Sequence, residues 1–221
     1  MSDSRVRELE ATWRTSGAVE DEAAWLQERV RVGDLEQSKL ELAAYCGHSG
    51  AARSATPLSL EEGEAWLEGL VGYGRIATVR SLIAIAVVSL EAWTRDETCP
   101  IEAAHAAQDW ILCPCDPHRA AAGLAAGRCE DLYTQAGSFG ASEIAACAAK
   151  ATYETDLASL IRYSVWWGTK RLCESFDDLL EENDLLLAVR ADLVPWALGY
   201  SDPVRERVEV RARASEHSER D

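Results

Sequence analysis

The sequence predicts an all-α fold, and three features lead to that prediction. Alanine, leucine and glutamate, which are strong helix formers, are abundant along the chain of 221 residues. Apolar residues recur at spacings of three and four, which is the period of a helix and not of a strand. Glycine and proline, which end and begin helices, separate these periodic segments. The short connections favour a multi-helix antiparallel bundle or stacked helical hairpins, with about nine helices in total.

The N-terminal part contains three helical segments and a short helical turn, at residues 4–15, 19–32, 35–46 and 51–54. Gly33 ends the second segment, and we expect it in the left-handed conformation, which glycine adopts without strain. Gly47 is expected to end the third segment in the same way. His48 is then expected to face the negative end of that helix dipole.

Six further helical segments follow, at residues 59–73, 75–94, 101–112, 116–135, 142–168 and 173–198. Ser59 and Glu62 match the capping box, in which each side chain binds a backbone N–H at the helix start. Pro100 and Pro117 each suit the first position of a helix. Alanine-rich stretches in this part imply that the helices approach one another closely.

Composition divides the chain into three parts. We expect residues 1–55 to form a small N-terminal helical module and residues 56–204 to form an alanine-rich helical domain. Residues 205–221 are charged and lack glycine and proline. We expect them to be a flexible tail, frayed or disordered after about Val210.

The charge and the cysteines restrict the location and the partners. The formal net charge is -16, so nucleic acids and anionic membranes would be repelled at long range. The acidic character suits a basic protein partner, or it serves solubility alone. No apolar run is long enough to span a bilayer, and the N-terminal segment has no apolar signal region. Seven cysteines without a secretory signal indicate reduced thiols and a cytoplasmic protein.

One cluster of cysteine and histidine residues is a candidate metal site. Cys113, Cys115 and His118 lie close together in sequence, and Cys129 follows. Thiolate and imidazole groups are zinc ligands, but the usual Cys-x2-Cys spacing is missing. The alternative is a tight interhelical turn whose cysteines act as small apolar groups. We therefore expect neither a metal nor a cofactor, with these four residues as the candidates if a metal binds.

The chain carries none of the common catalytic motifs. It has no G-x-S-x-G sequence and no phosphate-binding loop, and its paired carboxylates are typical of solvated helix faces. We therefore do not expect an enzyme. A small helical enzyme stays as an alternative, which a buried cluster of carboxylates with His105 or His118 would favour.

Two adjacent tryptophans are the candidate residues for binding a partner. Trp166 and Trp167 cannot face the same side of one helix, because neighbouring residues differ by about 100°. One of them is expected to be exposed or to lie between two layers. An exposed tryptophan is a typical interface hot spot, whereas packing in the core is the alternative.

Two stretches resemble known sequences. Residues 9–53, with Trp13 and the segment Leu40-Glu-Leu-Ala-Ala-Tyr-Cys-Gly-His48, resemble a short helical module of uncharacterised bacterial proteins, which implies no known activity. Residues 99–150, with Pro100-Ile-Glu-Ala-Ala104, Trp110 and alanine-rich helices, resemble the helical immunity proteins of bacterial polymorphic toxin systems. This second resemblance implies an all-α fold and a non-catalytic, toxin-neutralising role.

These observations together predict a non-catalytic protein-binding protein. We expect an immunity protein, an inhibitor or a regulatory subunit in a bacterial toxin, defence or signalling system. The expected partner is another protein, with a basic surface as one option, and neither a nucleic acid nor a membrane. A metal- or thiol-dependent module built on Cys113, Cys115, His118 and Cys129 is the alternative, as is a small helical enzyme.

Overall fold

The computed structural model describes residues 2–55, 63–91, 93, 96–136, 140–170 and 182–218. Within these ranges the chain is helical and contains no strand, which confirms the all-α prediction. The α-helices in these ranges are α1 Ser2–Ser16, α2 Val19–Val32, α3 Gln37–Tyr45, α4 Ser49–Ser54, α5 Gly63–Gly69, α6 Arg75–Glu91, α7 Cys99–Leu112, α8 Asp116–Ala136, α9 Gly140–Lys150, α10 Leu157–Lys170, α11 Glu182–Leu198 and α12 Pro203–Ser218. A 3-10 helix at Leu70–Tyr73 follows α5. None of the described helices is both long and apolar enough to cross a bilayer.

The chain divides into two compact units. The first comprises Met1–Glu61 and Leu193–Ser201, and the second comprises Glu62–Asp192 and Asp202–Asp221. Sequence composition suggested a boundary after residue 55. It gave no sign that the segment Leu193–Ser201 belongs with the N-terminal helices.

The core of the first unit is built from helices α1 to α4 and the chain segment that ends α11. Leu26, Leu40 and Ala51 are fully enclosed. Trp13 and Trp25 stack with ring centroids 4.7 Å apart, and Tyr200 lies parallel to both. Trp25 is buried, so this stack adds apolar contact to the core, whereas Tyr200 remains 41% exposed at its edge.

Glycine ends the second helix as the sequence predicts. Gly33 has φ 81°, and its backbone N–H donates a 3.0 Å hydrogen bond to the carbonyl of Val30. A side chain at this position would be strained, because only glycine adopts a positive φ at no steric cost.

Helix α9 lies at the centre of the second unit. It contacts α6, α7, α8 and α10, and residues 141–149 are all buried. Six of the helix's eleven residues are glycine or alanine, whose small side chains let neighbouring backbones approach closely. Helix α6 is buried along most of its length as well, in agreement with its nearly continuous apolar sequence.

The prediction of one long helix over residues 142–168 is wrong, because the helix is interrupted between α9, which ends at Lys150, and α10, which begins at Leu157. Asp156 begins α10: its carboxylate accepts hydrogen bonds from the backbone N–H of Ser159 at 3.1 Å and from the Ser159 hydroxyl at 2.7 Å. An acidic N-cap of this kind satisfies an N–H that has no partner within the helix. This break and the additional C-terminal helix raise the helix count above the expected nine.

The C-terminal segment is helical beyond the point where fraying was expected. Helix α12 continues to Ser218, past Val210. Arg207 binds the Asp192 carboxylate at 2.6 Å, and Arg211 forms an ion pair with Asp109. These contacts join α12 to α11 and α7 within the second unit, which composition alone does not reveal.

Some of the sequence predictions lie outside the described residues. The capping box at Ser59 and Glu62 is one of them, and the start of the helix predicted over residues 173–198 is another.

Candidate functional site

A cavity of about 620 Å³ opens among helices α8, α9 and α10 of the second unit. Its volume falls within the range of small-ligand pockets, roughly 300–1,000 Å³. The residues that line it are Glu130, Glu143, Cys147, Lys150, Ser159, Leu160 and Tyr163. Most of these side chains are polar, and they converge from three helices.

Helical spacing explains why these side chains meet. Glu143, Cys147 and Lys150 follow one another at intervals of four and three along α9, so they share one face of that helix. Ser159 and Tyr163 are four residues apart on α10 and form a matching face. The Asp156 cap therefore contributes to the cavity, because it sets where α10 begins.

Glu143 is the most enclosed charged group of the cavity, with 8% of the residue exposed. Its Oε2 atom accepts a hydrogen bond from the Tyr163 hydroxyl at 3.3 Å. Burial raises the pKa of Glu143 above its usual value, because removal from water disfavours the charged form. The pKa of Tyr163 is raised too, first by burial and then by the charge of Glu143.

A second carboxylate, that of Glu130, is paired with a cation. Burial acts most strongly on Lys150 and lowers its pKa, but the ion pair with Glu130 and other nearby negative groups outweigh burial, so the pKa of Lys150 is raised. With Glu143 ionised, the cavity holds two carboxylates and one ammonium group. Its charge is then negative.

Exposed aromatic rings stand beside the cavity on α10. Trp166 is 41% exposed, whereas Trp167 is 4% exposed, as expected for two neighbours on one helix. The buried Trp167 ring supports its neighbour edge to face, with centroids 4.8 Å apart, and contacts Tyr163 in the same manner at 5.9 Å. Trp166 and the half-exposed Tyr163 ring are three residues apart, on the same side of the helix.

The turn between α7 and α8 brings three of the four candidate metal ligands together. The ligand atoms of Cys113, Cys115 and His118 all lie within 4.8 Å of one another. The Cys115 Sγ atom is 3.3 Å from His118 Nδ1, and that nitrogen is 3.0 Å from the Cys113 carbonyl oxygen. The Cys113 thiol is exposed.

Cys129, the fourth candidate, is not a member of this group. Its thiol is buried in α8 and interacts with Cys99 and Ser142. Burial raises the pKa of Cys129 to about 12, so the thiol stays protonated at neutral pH. Cys129 therefore belongs to the core and does not share a site with His118.

Hydrogen bonds set the proton affinities in the turn. A hydrogen bond from the backbone of His118, followed by one with the Cys113 thiol, lowers the pKa of Cys115. The pKa of Cys113 rises, mainly because its thiol is hydrogen-bonded to Cys115. The pKa of His118 rises because of its hydrogen bond to the Cys113 backbone, with a further contribution from the Cys115 charge.

Histidines and carboxylates do meet at a second, smaller cavity of about 280 Å³, which both His105 and His118 line. The carboxylates there are paired with arginines: Glu102 with Arg128 at 2.7 Å, and Asp109 with Arg211. Burial, followed by the charge of Arg211, lowers the pKa of His105. Both carboxylates are solvent-accessible ion-pair partners and not the buried cluster that would favour catalysis.

Comparison with known proteins gives no match: no protein family, no curated protein and no solved structure matches this chain. The cavities and the cysteine turn are therefore interpreted from their own chemistry.

The acidic cavity was not predicted from the sequence, although the sequence contains a signal for it. Glu143 interrupts a run of small and apolar residues in α9, and Lys150 follows two turns later on the same face. A charged residue within a buried stretch is unusual unless it has a partner or a function.

Proposed function

We propose that this chain is a non-catalytic protein-binding protein whose partner inserts a lysine or arginine side chain into the cavity among α8, α9 and α10. The observation that carries the proposal is Glu143, an enclosed carboxylate that lines a cavity open to solvent. Burial disfavours the charge of Glu143, which the hydrogen bond from Tyr163 offsets only in part because the pKa of Glu143 remains raised, and a cation from a partner compensates for the loss of hydration.

The other features of the cavity suit a cationic side chain. A second carboxylate, Glu130, extends the negative potential, although Lys150 offsets part of it. The Tyr163 ring offers a π face to a guanidinium or ammonium group. The net charge of -16 would speed the approach of a basic partner over long distances.

Exposed aromatic surface favours a protein over a free small cation. Trp166 and Tyr163 are both 41% exposed. Aromatic residues are enriched at the energetic centres of protein interfaces, where they bury much area at little entropic loss. In this proposal the cavity selects the cation, and the tryptophan supplies the surrounding contact.

The biological role belongs to the same proposal. An immunity protein, an inhibitor or a regulatory subunit in a bacterial toxin, defence or signalling system would act by such binding. The resemblance of residues 99–150 to helical immunity proteins supports that role, and a strongly acidic chain suits a cationic toxin.

A site-specific photo-crosslinking experiment tests the proposal in lysate of the source organism. A photoreactive phenylalanine derivative replaces Trp166 in one variant and Leu124 in another. Leu124 is the matched control, because it is apolar, 70% exposed and lines neither cavity. Each variant is also prepared with Glu143→Gln.

We expect one basic protein to crosslink at position 166 and not at position 124. Its yield should fall at least about tenfold with Glu143→Gln, and it should fall again as salt rises, because salt screens charge attraction. Equal crosslinking at both positions, or a yield at position 166 that ignores both Glu143→Gln and salt, would contradict the proposal.

A further inference from the structure

The turn between α7 and α8 holds its three polar side chains in a compact arrangement. Cys113 and Cys115 lie in the connection, and His118 lies in the first turn of α8. All three ligand atoms fall within 4.8 Å of one another. We propose that Cys113, Cys115 and His118 bind one Zn²⁺ ion through two thiolates and one imidazole nitrogen.

The distances fit a tetrahedral zinc site. A sulfur at about 2.3 Å and a nitrogen at about 2.0 Å from zinc lie about 3.5 Å from each other. Cys115 Sγ and His118 Nδ1 are 3.3 Å apart, which is close to that edge of the tetrahedron. The Cys113 Sγ atom lies within 4.8 Å of the other two ligand atoms, so it needs to move by no more than roughly 1.3 Å, within reach of a rotamer adjustment.

The backbone holds the turn in place before a metal binds. The Cys113 N–H donates to the Asp109 carbonyl at 3.1 Å, and the Cys115 N–H donates to the Cys113 carbonyl at 2.7 Å. Pro114 and Pro117 alternate with the ligands and restrict φ on either side of Cys115. Such preorganisation lowers the entropy lost on binding.

Zinc binding balances as a proton exchange without a change in oxidation state. Two Zn–S bonds and one Zn–N bond form, two S–H bonds break, and two protons pass to the buffer. The proton of His118 Nδ1 moves to Nε2, which leaves Nδ1 free to bind. The Cys113 carbonyl loses Nδ1 as a donor but keeps the Cys115 N–H.

The site has one open coordination position. Three protein ligands leave the fourth corner of the tetrahedron to a water molecule, as in exchangeable and catalytic zinc sites. This position faces solvent, because Cys113 is exposed. We therefore expect zinc to be removable by chelators while the fold persists.

Titration of the reduced, full-length protein with Zn²⁺ against a chromophoric chelator tests the site. We expect one equivalent to bind, with about two protons released per ion, measured by calorimetry in buffers of different ionisation enthalpy. Co²⁺ in place of Zn²⁺ should give the visible bands of a tetrahedral site and a thiolate charge-transfer band.

The variants Cys115→Ser and His118→Ala should each bind Zn²⁺ at least about tenfold more weakly, with unchanged far-ultraviolet circular dichroism. Cys115→Ser should also lower the intensity of the thiolate charge-transfer band. His105→Ala is the matched control, because His105 lines the cavity beside His118 but lies outside the ligand group. Zinc affinity at background level in the wild type, or wild-type affinity in both variants, would overturn the assignment.

Discussion

Tyr200 donates its hydroxyl hydrogen to Glu22 across 2.8 Å within the first unit. His48 Nε2 lies 3.6 Å from the same carboxylate oxygen. His48 Nδ1 accepts a hydrogen bond from the backbone N–H of Ala51, so the hydrogen of the neutral ring is on Nε2, toward Glu22. His48 therefore caps the start of α4, which differs from the expected interaction with the end of α3.

Gly50→Ala should destabilise the first unit, because Glu22 occupies the space beside Gly50. A Cβ atom there would lie 2.5 Å from Glu22 Oε2. The carboxylate would have to move, and the hydrogen bond from Tyr200 would be weakened. We expect a loss of about 1–3 kcal/mol in the free energy of unfolding, measured by urea denaturation.

Gly127→Ala is the control for that substitution. Gly127 lies inside α8, and an added Cβ meets nothing within 4 Å. Alanine should therefore stabilise this helix by about 0.5–1 kcal/mol, through its higher helix propensity. A neutral or stabilising effect of Gly50→Ala, like that expected for Gly127→Ala, would show that Glu22 is not held in place.

Arg80→Met should be strongly destabilising, because it breaks a buried ion-pair network in the second unit. Arg80 has a side chain 1% exposed and binds Asp192 at 3.0 Å and Asp202 at 2.6 Å. Removal of one partner leaves buried negative charge under-compensated, which typically costs about 3–5 kcal/mol. Thermal or urea unfolding measures the loss.

Arg162→Met is the matched control, since Arg162 pairs with Glu68 at 3.2 Å but is 51% exposed. Ion pairs of this kind contribute less than about 1 kcal/mol. Similar losses for Arg80→Met and Arg162→Met would contradict the structural importance of the buried network.

Glu143→Gln should change how stability depends on pH. The pKa of Glu143 is raised by burial, so the folded protein holds this proton more tightly than the unfolded chain does. Its contribution is present below the unfolded pKa and is lost as pH rises through the folded pKa. The wild type should therefore gain stability relative to the variant as pH falls through the raised pKa of folded Glu143 toward the ordinary pKa of glutamate.

Asp156→Asn should change the pH dependence of stability in the opposite direction. Hydrogen bonds from the side chain and then the backbone of Ser159 lower the pKa of Asp156. Stability from Asp156 is present above the unfolded pKa and is lost as pH falls through the folded pKa. Urea unfolding at several pH values separates the two variants, and parallel curves would be evidence against the buried state of Glu143.

Local signals in the sequence were sufficient to predict most of the helices and their ends. The stop at Gly33 is visible because it depends on neighbouring residues alone. The compact group of Cys113, Cys115 and His118 could be anticipated for the same reason, since these residues lie within one turn. The cap at Asp156 was also local, but the apolar pattern on both sides concealed it.

Long-range contacts explain what the sequence did not reveal. Glu143 stands out within the apolar run of α9, but what encloses it does not, because its environment depends on α8, α10 and Tyr163, which is 20 residues away. Cys129 interacts with Cys99 and not with His118, although His118 is nearer to it in the sequence. The ion pair of Arg211 with Asp109 spans 102 residues, so no local pattern marks the last helix as packed.

Cys129 and Cys147 should resist alkylation in the folded protein, in contrast to the exposed Cys113. Burial raises the pKa of Cys129 to about 12 and that of Cys147 to about 11. Only the thiolate reacts, and at pH 8 its fraction is about 0.01% for the first and about 0.1% for the second. N-ethylmaleimide should label both at least about tenfold more slowly than Cys113, although the pKa of Cys113 is itself raised. Peptide mass spectrometry measures the labelling at each position. In denaturant all three should react at similar rates, because the unfolded chain removes the burial. Native labelling of Cys129 as fast as that of Cys113 would mean that α8 opens readily, contrary to its packed position against α7 and α9.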